Sequence, residues 1–147
     1  MTTWTDAIPY FTRAELACKG TGTILLDARF AAHLPALRAA WGKPLVPTSV
    51  CRTREHNANV GGHPRSLHLT ENPVHPTHGC MAADLAWRDW PTQRKLEFAR
   101  LAFRMGWAVG LHDGFIHVDR RADVGLRKAV FLYGSEWSAP FDKEDVL

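Results

Sequence analysis

The chain has 147 residues, of which 46% are apolar and 22% charged, and its formal net charge is +3. These values are typical of one folded domain, which we expect over residues 1–147, and they exclude a disordered chain. No apolar run approaches the roughly 18 residues that a membrane-spanning helix needs. The first residues also lack a secretory signal, so we expect cytoplasmic synthesis without export by the general route.

Cysteine content and charge distribution indicate which structural and binding classes the protein belongs to. Cys18, Cys51 and Cys80 are odd in number and show no CxxC spacing, which argues against a disulfide framework and against a thiolate zinc cluster. We expect buried thiols. The 18 basic residues are scattered along the chain, so the positive charge suits loose attraction to nucleic acid or a bacterial wall without identifying either.

The first third of the chain predicts helices. Thr12 and Glu15 have the spacing of a capping box that opens a short helix. Between residues 23 and 41, apolar residues recur at the spacing of one helical face; they are Leu26, Phe30, Leu34, Leu37 and Trp41. Pro35 interrupts this pattern and predicts either two helices or one helix that begins near it. Gly42 is the expected stop.

A strand and a long loop follow. Residues 45–51 are rich in Val and Thr and predict a strand that ends at Arg52. Residues 55–78 contain two Gly, three Pro, five His and three Asn, with no apolar period. Loops longer than about 15 residues in compact domains are usually functional or disordered, so we expect this loop to carry function.

The second half alternates strands with one helix. Residues 81–87 alternate apolar and small side chains and predict a strand, and residues 91–105 predict a helix that stops at Gly106. Residues 107–111 and 115–119 predict a hairpin whose turn contains an Asp-Gly pair. Residues 129–133 predict a last short strand, and the tail after them gives no functional signal.

Two histidines and one aspartate stand out in this order. Ser66-Leu67-His68 lies in the loop, Ala82-Ala83-Asp84 begins the next strand, and Phe115-Ile116-His117-Val118-Asp119 forms the second strand of the hairpin. Two imidazoles and one carboxylate with water in a fourth position make an open zinc site of the hydrolytic kind. Convergence of these side chains on one ion is the resulting hypothesis.

These motifs resemble the D-Ala-D-Ala-carboxypeptidase-like zinc peptidases, whose metal-binding fold hedgehog proteins share. The family pattern is an arginine in a short turn, an Asn, a Gly-Gly pair, Ser-x-His-x-x-Gly-x-Ala-x-Asp, and a later His in a His-Val-Asp-like strand. Here it is matched in order by Cys51-Arg52-Thr53, Asn57, Gly61-Gly62 and the three segments above. The resemblance implies that His68, Asp84 and His117 bind Zn²⁺.

The sequence departs from this pattern between the first two ligands. Fifteen residues separate His68 from Asp84, more than the pattern allows, and we interpret residues 69–78 as containing an inserted loop, because long surface insertions cost little. His78 therefore remains an alternative first ligand. Ser66 beside His68 favours His68.

The resemblance also implies two catalytic roles. Arg52 corresponds to the family's substrate-side arginine, which holds a carboxylate or stabilises an oxyanion. The usual positions of the general base hold Phe115 and Gly114, so we predict Asp113 as the base, with His112 as second choice and Asp119 as third. Asp119 is alternatively a carboxylate that orients His117.

The sequence therefore predicts an α+β domain with a small, mainly antiparallel sheet that carries the zinc site on one face and helices on the other. The predicted protein is a monomeric zinc peptidase that hydrolyses an amide bond in bacterial cell-wall peptides, with no specific nucleic acid partner. The predicted setting is a phage or prophage lysis enzyme, or a virion component. The alternatives are a nucleic-acid-binding domain or nuclease, and an inert zinc-binding domain of the same fold.

Overall fold

The computed structural model describes residues 2–147 and shows an α+β fold. In chain order its elements are β1 (Thr3–Trp4), α1 (Arg13–Leu16), β2 (Leu26–Asp27), α2 (Ala28–Trp41), β3 (Pro47–Ser49), α3 (Arg54–Asn59), β4 (Ala82–Ala86), α4 (Thr92–Arg104), β5 (Ala108–Leu111), β6 (Phe115–Asp119), a 3₁₀ turn (Arg121–Val124), β7 (Val130–Leu132) and α5 (Lys143–Val146). The predicted capping box opens α1, and the predicted hairpin is formed by β5 and β6.

The main sheet has five strands in the order β3-β4-β6-β5-β7, and β1 pairs with β2 in a separate small sheet. Three of the four pairings in the main sheet are antiparallel, and β7 runs parallel to β5. This confirms the predicted fold class. Pairing of β4 with β6 sets Asp84 directly opposite His117, so both side chains lie on the same face of the sheet.

The opposite face of the sheet carries the hydrophobic core. Leu85, Ile116 and Val118, whose side chains alternate with Asp84 and His117, are fully buried. Helices α2 and α4 cover them with an apolar layer that includes Phe30, Leu34, Leu37, Phe98, Ala99 and Ala102. The sheet thus separates a polar face from an apolar one, because side chains alternate along each strand.

Helix α2 corrects the expectation at Pro35. The structure shows one continuous helix with Pro35 inside it, and Leu26 lies before the helix in β2. A proline inside a helix removes one backbone hydrogen bond and crowds the preceding turn. Burial of apolar side chains on both sides of Pro35, such as Phe30 and Leu37, offsets this cost.

The predicted loop from 55 to 78 is also partly regular, because its first residues form α3. The N-terminus of α3 is capped by Thr53, whose hydroxyl accepts a hydrogen bond from the backbone of His56.

The three cysteines are free and buried, as expected. Among residues 2–147, no helix is both long and apolar enough to cross a membrane.

Candidate metal centre

Three side chains predicted as metal ligands meet on the polar face of the sheet. His117 Nδ1 lies 3.0 Å from Asp84 Oδ1, and His68 Nε2 lies 3.2 Å from the same oxygen. All three residues are buried. The strand register places Asp84 and His117 side by side, so only His68 has to be delivered from outside the sheet.

Two hydrogen bonds fix His68 at the end of the loop. The hydroxyl of Ser66 accepts a hydrogen bond from the backbone N–H of His68 at 3.1 Å, and His68 Nδ1 lies 2.7 Å from the carbonyl oxygen of Val50. With Nδ1 at this carbonyl, Nε2 is the ring nitrogen that faces Asp84. Ser66 therefore helps to orient the imidazole that the sequence motif associates with it.

The long connection between His68 and Asp84 leaves this arrangement intact because it starts and ends at one place. The backbone N–H of Met81 donates a hydrogen bond to the carbonyl of Leu67 at 2.8 Å. Residues 68–80 thus form a loop whose two ends are joined by this hydrogen bond. His78, the alternative first ligand, is exposed, and its backbone N–H donates to Asp27 Oδ2 at 3.0 Å.

The chemistry of the three ligand atoms fits a zinc ion. One donor atom from each of His68, Asp84 and His117 lies within 4.8 Å of the other two. Ligands about 2.0–2.1 Å from a tetrahedral zinc ion lie roughly 3.3–3.4 Å apart. The separations of 3.0 and 3.2 Å between Asp84 Oδ1 and the two imidazole nitrogens are close to this value, and the two nitrogens lie within 4.8 Å of each other, so the group could hold a zinc ion.

Asp119 holds the far side of the His117 ring. His117 Nε2 lies 2.8 Å from Asp119 Oδ2, and Arg121 donates two hydrogen bonds to the same carboxylate. A carboxylate on the outer nitrogen of a histidine ligand fixes its orientation and increases its basicity. Asp119 therefore has the geometry of a residue that orients His117. This is the role that the sequence analysis gave as the alternative to a general base.

Burial disfavours the charged forms of these groups, but their mutual contacts outweigh it. Hydrogen bonds to Asp119 and Asp84 raise the pKa of His117 to about 9 despite its burial. Hydrogen bonds from His117 and Arg121 lower the pKa of Asp119 to about 2, also against burial. The charge of His68 and hydrogen bonds from both imidazoles hold the pKa of Asp84 well below its usual range.

Arg52 binds the second oxygen of Asp84. Its Nη2 lies 3.3 Å from Asp84 Oδ2, while Nε donates to Ser49 Oγ at 3.0 Å and Nη1 to Asn57 Oδ1 at 3.4 Å. Its side chain is only 12% exposed. The structure thus shows Arg52 fixing the carboxylate, and the substrate contact implied by the resemblance stays a prediction.

The Gly-Gly pair of the motif packs closely against the side chains of Asn57 and Arg52. A Cβ atom on Gly62 would lie 2.0 Å from Asn57 Oδ1 and 3.1 Å from Arg52 Nη1. Gly61 has a φ of +71°, a left-handed conformation that glycine adopts without steric cost. The pair therefore lets the chain turn back tightly against the Asn57 and Arg52 side chains.

The predicted bases have other partners in the structure. Both carboxylate oxygens of Asp113 accept hydrogen bonds from Ser138, each at 2.9 Å. His112 Nδ1 accepts from the backbone of Gly114, and its Nε2 lies 3.3 Å from Glu136. The contacts of Asp113 and His112 therefore lie with the turn and the C-terminal segment, and no hydrogen bond among residues 2–147 joins either side chain to the His–Asp–His group.

Tyr133 is a site residue that the sequence did not indicate. Its ring stacks on His117 with a centroid distance of 4.8 Å. Burial is the main cause of its raised pKa, to which the charge of Asp84 adds and which contact with Arg52 opposes. Gly110 leaves room for the neighbouring Phe131 and for His117, since a Cβ there would lie 2.8 Å from Phe131 and 3.1 Å from His117, and a glycine inside a strand often marks such close approach.

A cleft of about 430 Å³ opens beside this group, and we call it the cationic cleft. His117, Asp119 and Tyr133 line one side of it. The remaining lining residues are His63, Arg65, Ser66, Leu67, His75, Arg121, Leu126 and Phe131. His117 is the member of the candidate metal centre that lines this cleft, which is large enough for part of a peptide.

Replacement of His68 and of His78 separates the two candidate first ligands. We expect His68→Ala to lose at least a hundredfold in zinc affinity, because its Nε2 faces Asp84 inside the protein. His78→Ala should bind zinc as the unchanged protein does, since His78 is exposed and contacts Asp27 only through its backbone. Competition with a chromophoric chelator measures both, and the reverse result would assign the ligand to His78.

Zinc binding should also release a proton from His117. A pKa of about 9 lies above the ordinary value for histidine, so Nδ1 carries a proton at pH 7 and loses it when the metal binds. We expect about one proton per zinc from this residue at pH 7, measured by calorimetry in buffers of different ionisation enthalpy. Asp119→Asn removes one cause of the raised pKa and should release fewer protons, and no release by the unchanged protein would contradict the charge state.

Comparison with known proteins agrees with this site. A family model described as peptidase M15 matches residues 9–119, which is about three quarters of the chain and includes Arg52 and the His–Asp–His group. Neither a curated protein nor a solved structure matches the chain. Peptidases of this family depend on zinc, and His68, Asp84 and His117 form a group that could hold a metal ion. The predicted resemblance is confirmed, and the chain belongs to the peptidase M15 family of zinc metallopeptidases.

Proposed function

We propose that this protein hydrolyses an amide bond in peptides of the bacterial cell wall, with Zn²⁺ bound by His68, Asp84 and His117. The observation that carries the proposal is that His117, one member of this buried group, lines the cationic cleft. A structural zinc site is closed by a fourth protein ligand, whereas a catalytic site leaves room for water and substrate. The cleft beside His117 supplies that room.

The chain's own residues prepare the site for this reaction. The carbonyl of Val50 and the carboxylate of Asp119 orient the two imidazoles, and Arg52 holds Asp84 by its second oxygen. Zinc, when bound, would activate a water molecule and polarise the substrate carbonyl. The hydroxyl of Tyr133, whose pKa is raised further by burial, keeps its proton at neutral pH and is a proposed donor near Arg52 for the oxygen of that carbonyl.

The cleft contains two side chains that could accept the proton of the attacking water. Asp113, the base predicted from the sequence, has both oxygens bonded to Ser138, and Asp119 is bonded to His117 and Arg121. The imidazoles of His63 and His75 line the same cleft as His117. We propose one of these two as the group that accepts the proton of the attacking water and returns it to the leaving amine.

The proposed setting is lysis of a bacterial wall. We propose that a phage or prophage encodes the protein. It would be synthesised in the host cytoplasm and act on the cell wall after its release from the cytoplasm, or it would be carried in the virion. This part of the proposal rests on family analogy. The alternative of an inert zinc-binding domain is favoured by one observation, the engagement of Asp113 by Ser138.

Incubation of zinc-loaded protein with purified wall peptides tests the function. We expect new amine termini by mass spectrometry, their loss on chelation with recovery on zinc addition, and no cleavage by His117→Ala, which lacks one predicted metal ligand. His33→Ala is the matched control, since His33 lies on helix α2 outside the cleft. Stoichiometric zinc binding without any cleavage would favour the inert domain and overturn the proposal.

Substitution of the candidate bases tests the proton acceptor. Loss of a general base typically lowers turnover by about 10² to 10⁴-fold, and we expect this for His63→Gln or His75→Gln with zinc still bound. Asp113→Asn should lower turnover by less than about tenfold, because its contacts are with Ser138 rather than with the cleft. A hundredfold loss in Asp113→Asn alone would return the role to the residue that the sequence predicts.

A further inference from the structure

The cationic cleft has more positive than negative charge on its walls. Two arginines, Arg65 and Arg121, line it, and Asp119 is the one acidic residue among its described lining. The charge of Asp119 is already matched, because Arg121 and His117 both bind its carboxylate. An anion that enters the cleft therefore meets uncompensated positive charge beside the candidate metal centre.

Arg65 has the availability that an anion-binding residue needs. It is exposed, and its side chain makes no hydrogen bond or ion pair with any residue in the range 2–147. Its backbone is nevertheless fixed, since the side-chain amide of Asn72 donates to the carbonyls of Arg65 and Ser66 at 3.0 and 3.1 Å. The insertion thus anchors the segment that presents this arginine to the cleft.

Arg121 is held in place by contacts that leave part of its guanidinium for a ligand. Nε and Nη2 donate to Asp119, and the guanidinium lies 4.9 Å from the ring centroid of Phe131. Nη1 makes no hydrogen bond within the described part of the chain, and the side chain is 26% exposed. A preorganised arginine of this kind loses little conformational entropy when it binds a carboxylate.

Arg52, the arginine that the family motif assigns to the substrate, differs from Arg65 and Arg121 in its contacts and in its position relative to the cleft. Ser49, Asn57 and Asp84 each accept one of its N–H groups, its side chain is only 12% exposed, and it is not among the residues that line the cleft. We propose that Arg65 and Arg121 form a subsite that binds a free carboxylate of the peptide substrate, on the cleft side of His117, while Arg52 positions Asp84. This proposal rests on the function proposed above and specifies the substrate of the same site.

The apolar part of the cleft narrows the substrate class further. Leu67, Leu126 and Phe131 lie among the same lining residues as the two arginines. They suit an apolar side chain next to the bound carboxylate. The expected substrate is therefore a peptide in which an acidic residue or a free C-terminus adjoins an apolar residue, and amidation of that carboxylate should weaken binding.

Matched peptides that differ only in one carboxylate test this subsite. We would titrate zinc-loaded protein with a wall peptide that contains D-glutamate, with its α-amide, and with its C-terminal amide, and follow binding by calorimetry. At least one amidation should weaken binding about fivefold or more, and the difference should shrink as salt is added. Mass spectrometry of each sample shows whether the peptide was cut, in which case kcat/KM of the three peptides replaces the affinity.

Arg65→Gln is the decisive variant, because Arg65 is exposed and its loss leaves the contacts of Asp119 and His117 unchanged. It should abolish the preference for the carboxylate form, whereas Arg94→Gln, an equal charge change on helix α4, should retain it. Equal binding or equal kcat/KM for all three peptides overturns the subsite even if they are cleaved. A preference that depends on Arg65 without any cleavage supports the subsite and counts against the peptidase function alone.

Discussion

The pairing of Asp84 with His117 across β4 and β6 is the constraint on which the rest of the site depends. It puts one carboxylate oxygen in contact with both imidazoles, His117 from the neighbouring strand and His68 from the loop. Because side chains alternate along a strand, a shift of one residue would turn Asp84 into the hydrophobic core. Burial of Leu85 and Ile116 on the other face therefore fixes the metal site as firmly as it fixes the core.

Charge balance explains how so many ionisable groups are buried together. Each carboxylate has an arginine on its outer side, Arg52 for Asp84 and Arg121 for Asp119, and an imidazole on its inner side. A buried carboxylate without such partners would be costly. The arginines thus maintain the charged state that a metal ligand requires, and Arg52 does so from a side chain that is only 12% exposed.

Local patterns in the sequence were sufficient to predict the strands that carry Asp84 and His117, the hairpin between β5 and β6, and the fold class. Contacts between distant segments were not predictable in the same way. Nothing near Asp113 indicates that Ser138 binds it, and the parallel pairing of β7 with β5 that brings Tyr133 onto His117 has no local signal. The helix through Pro35 forms because its neighbours are buried, which a propensity argument omits.

The hydrogen bond that joins the two ends of residues 68–80 explains why an insertion inside the metal-binding motif is tolerated. This bond between Met81 and Leu67 holds the ends of the segment together, so its length is not transmitted to His68 or Asp84. Asn72 then ties the segment back to Arg65, at the wall of the cleft. The sheet thus carries Asp84 and His117, while the loop presents Arg65 to the cleft, a division of roles expected of rigid strands and adaptable loops.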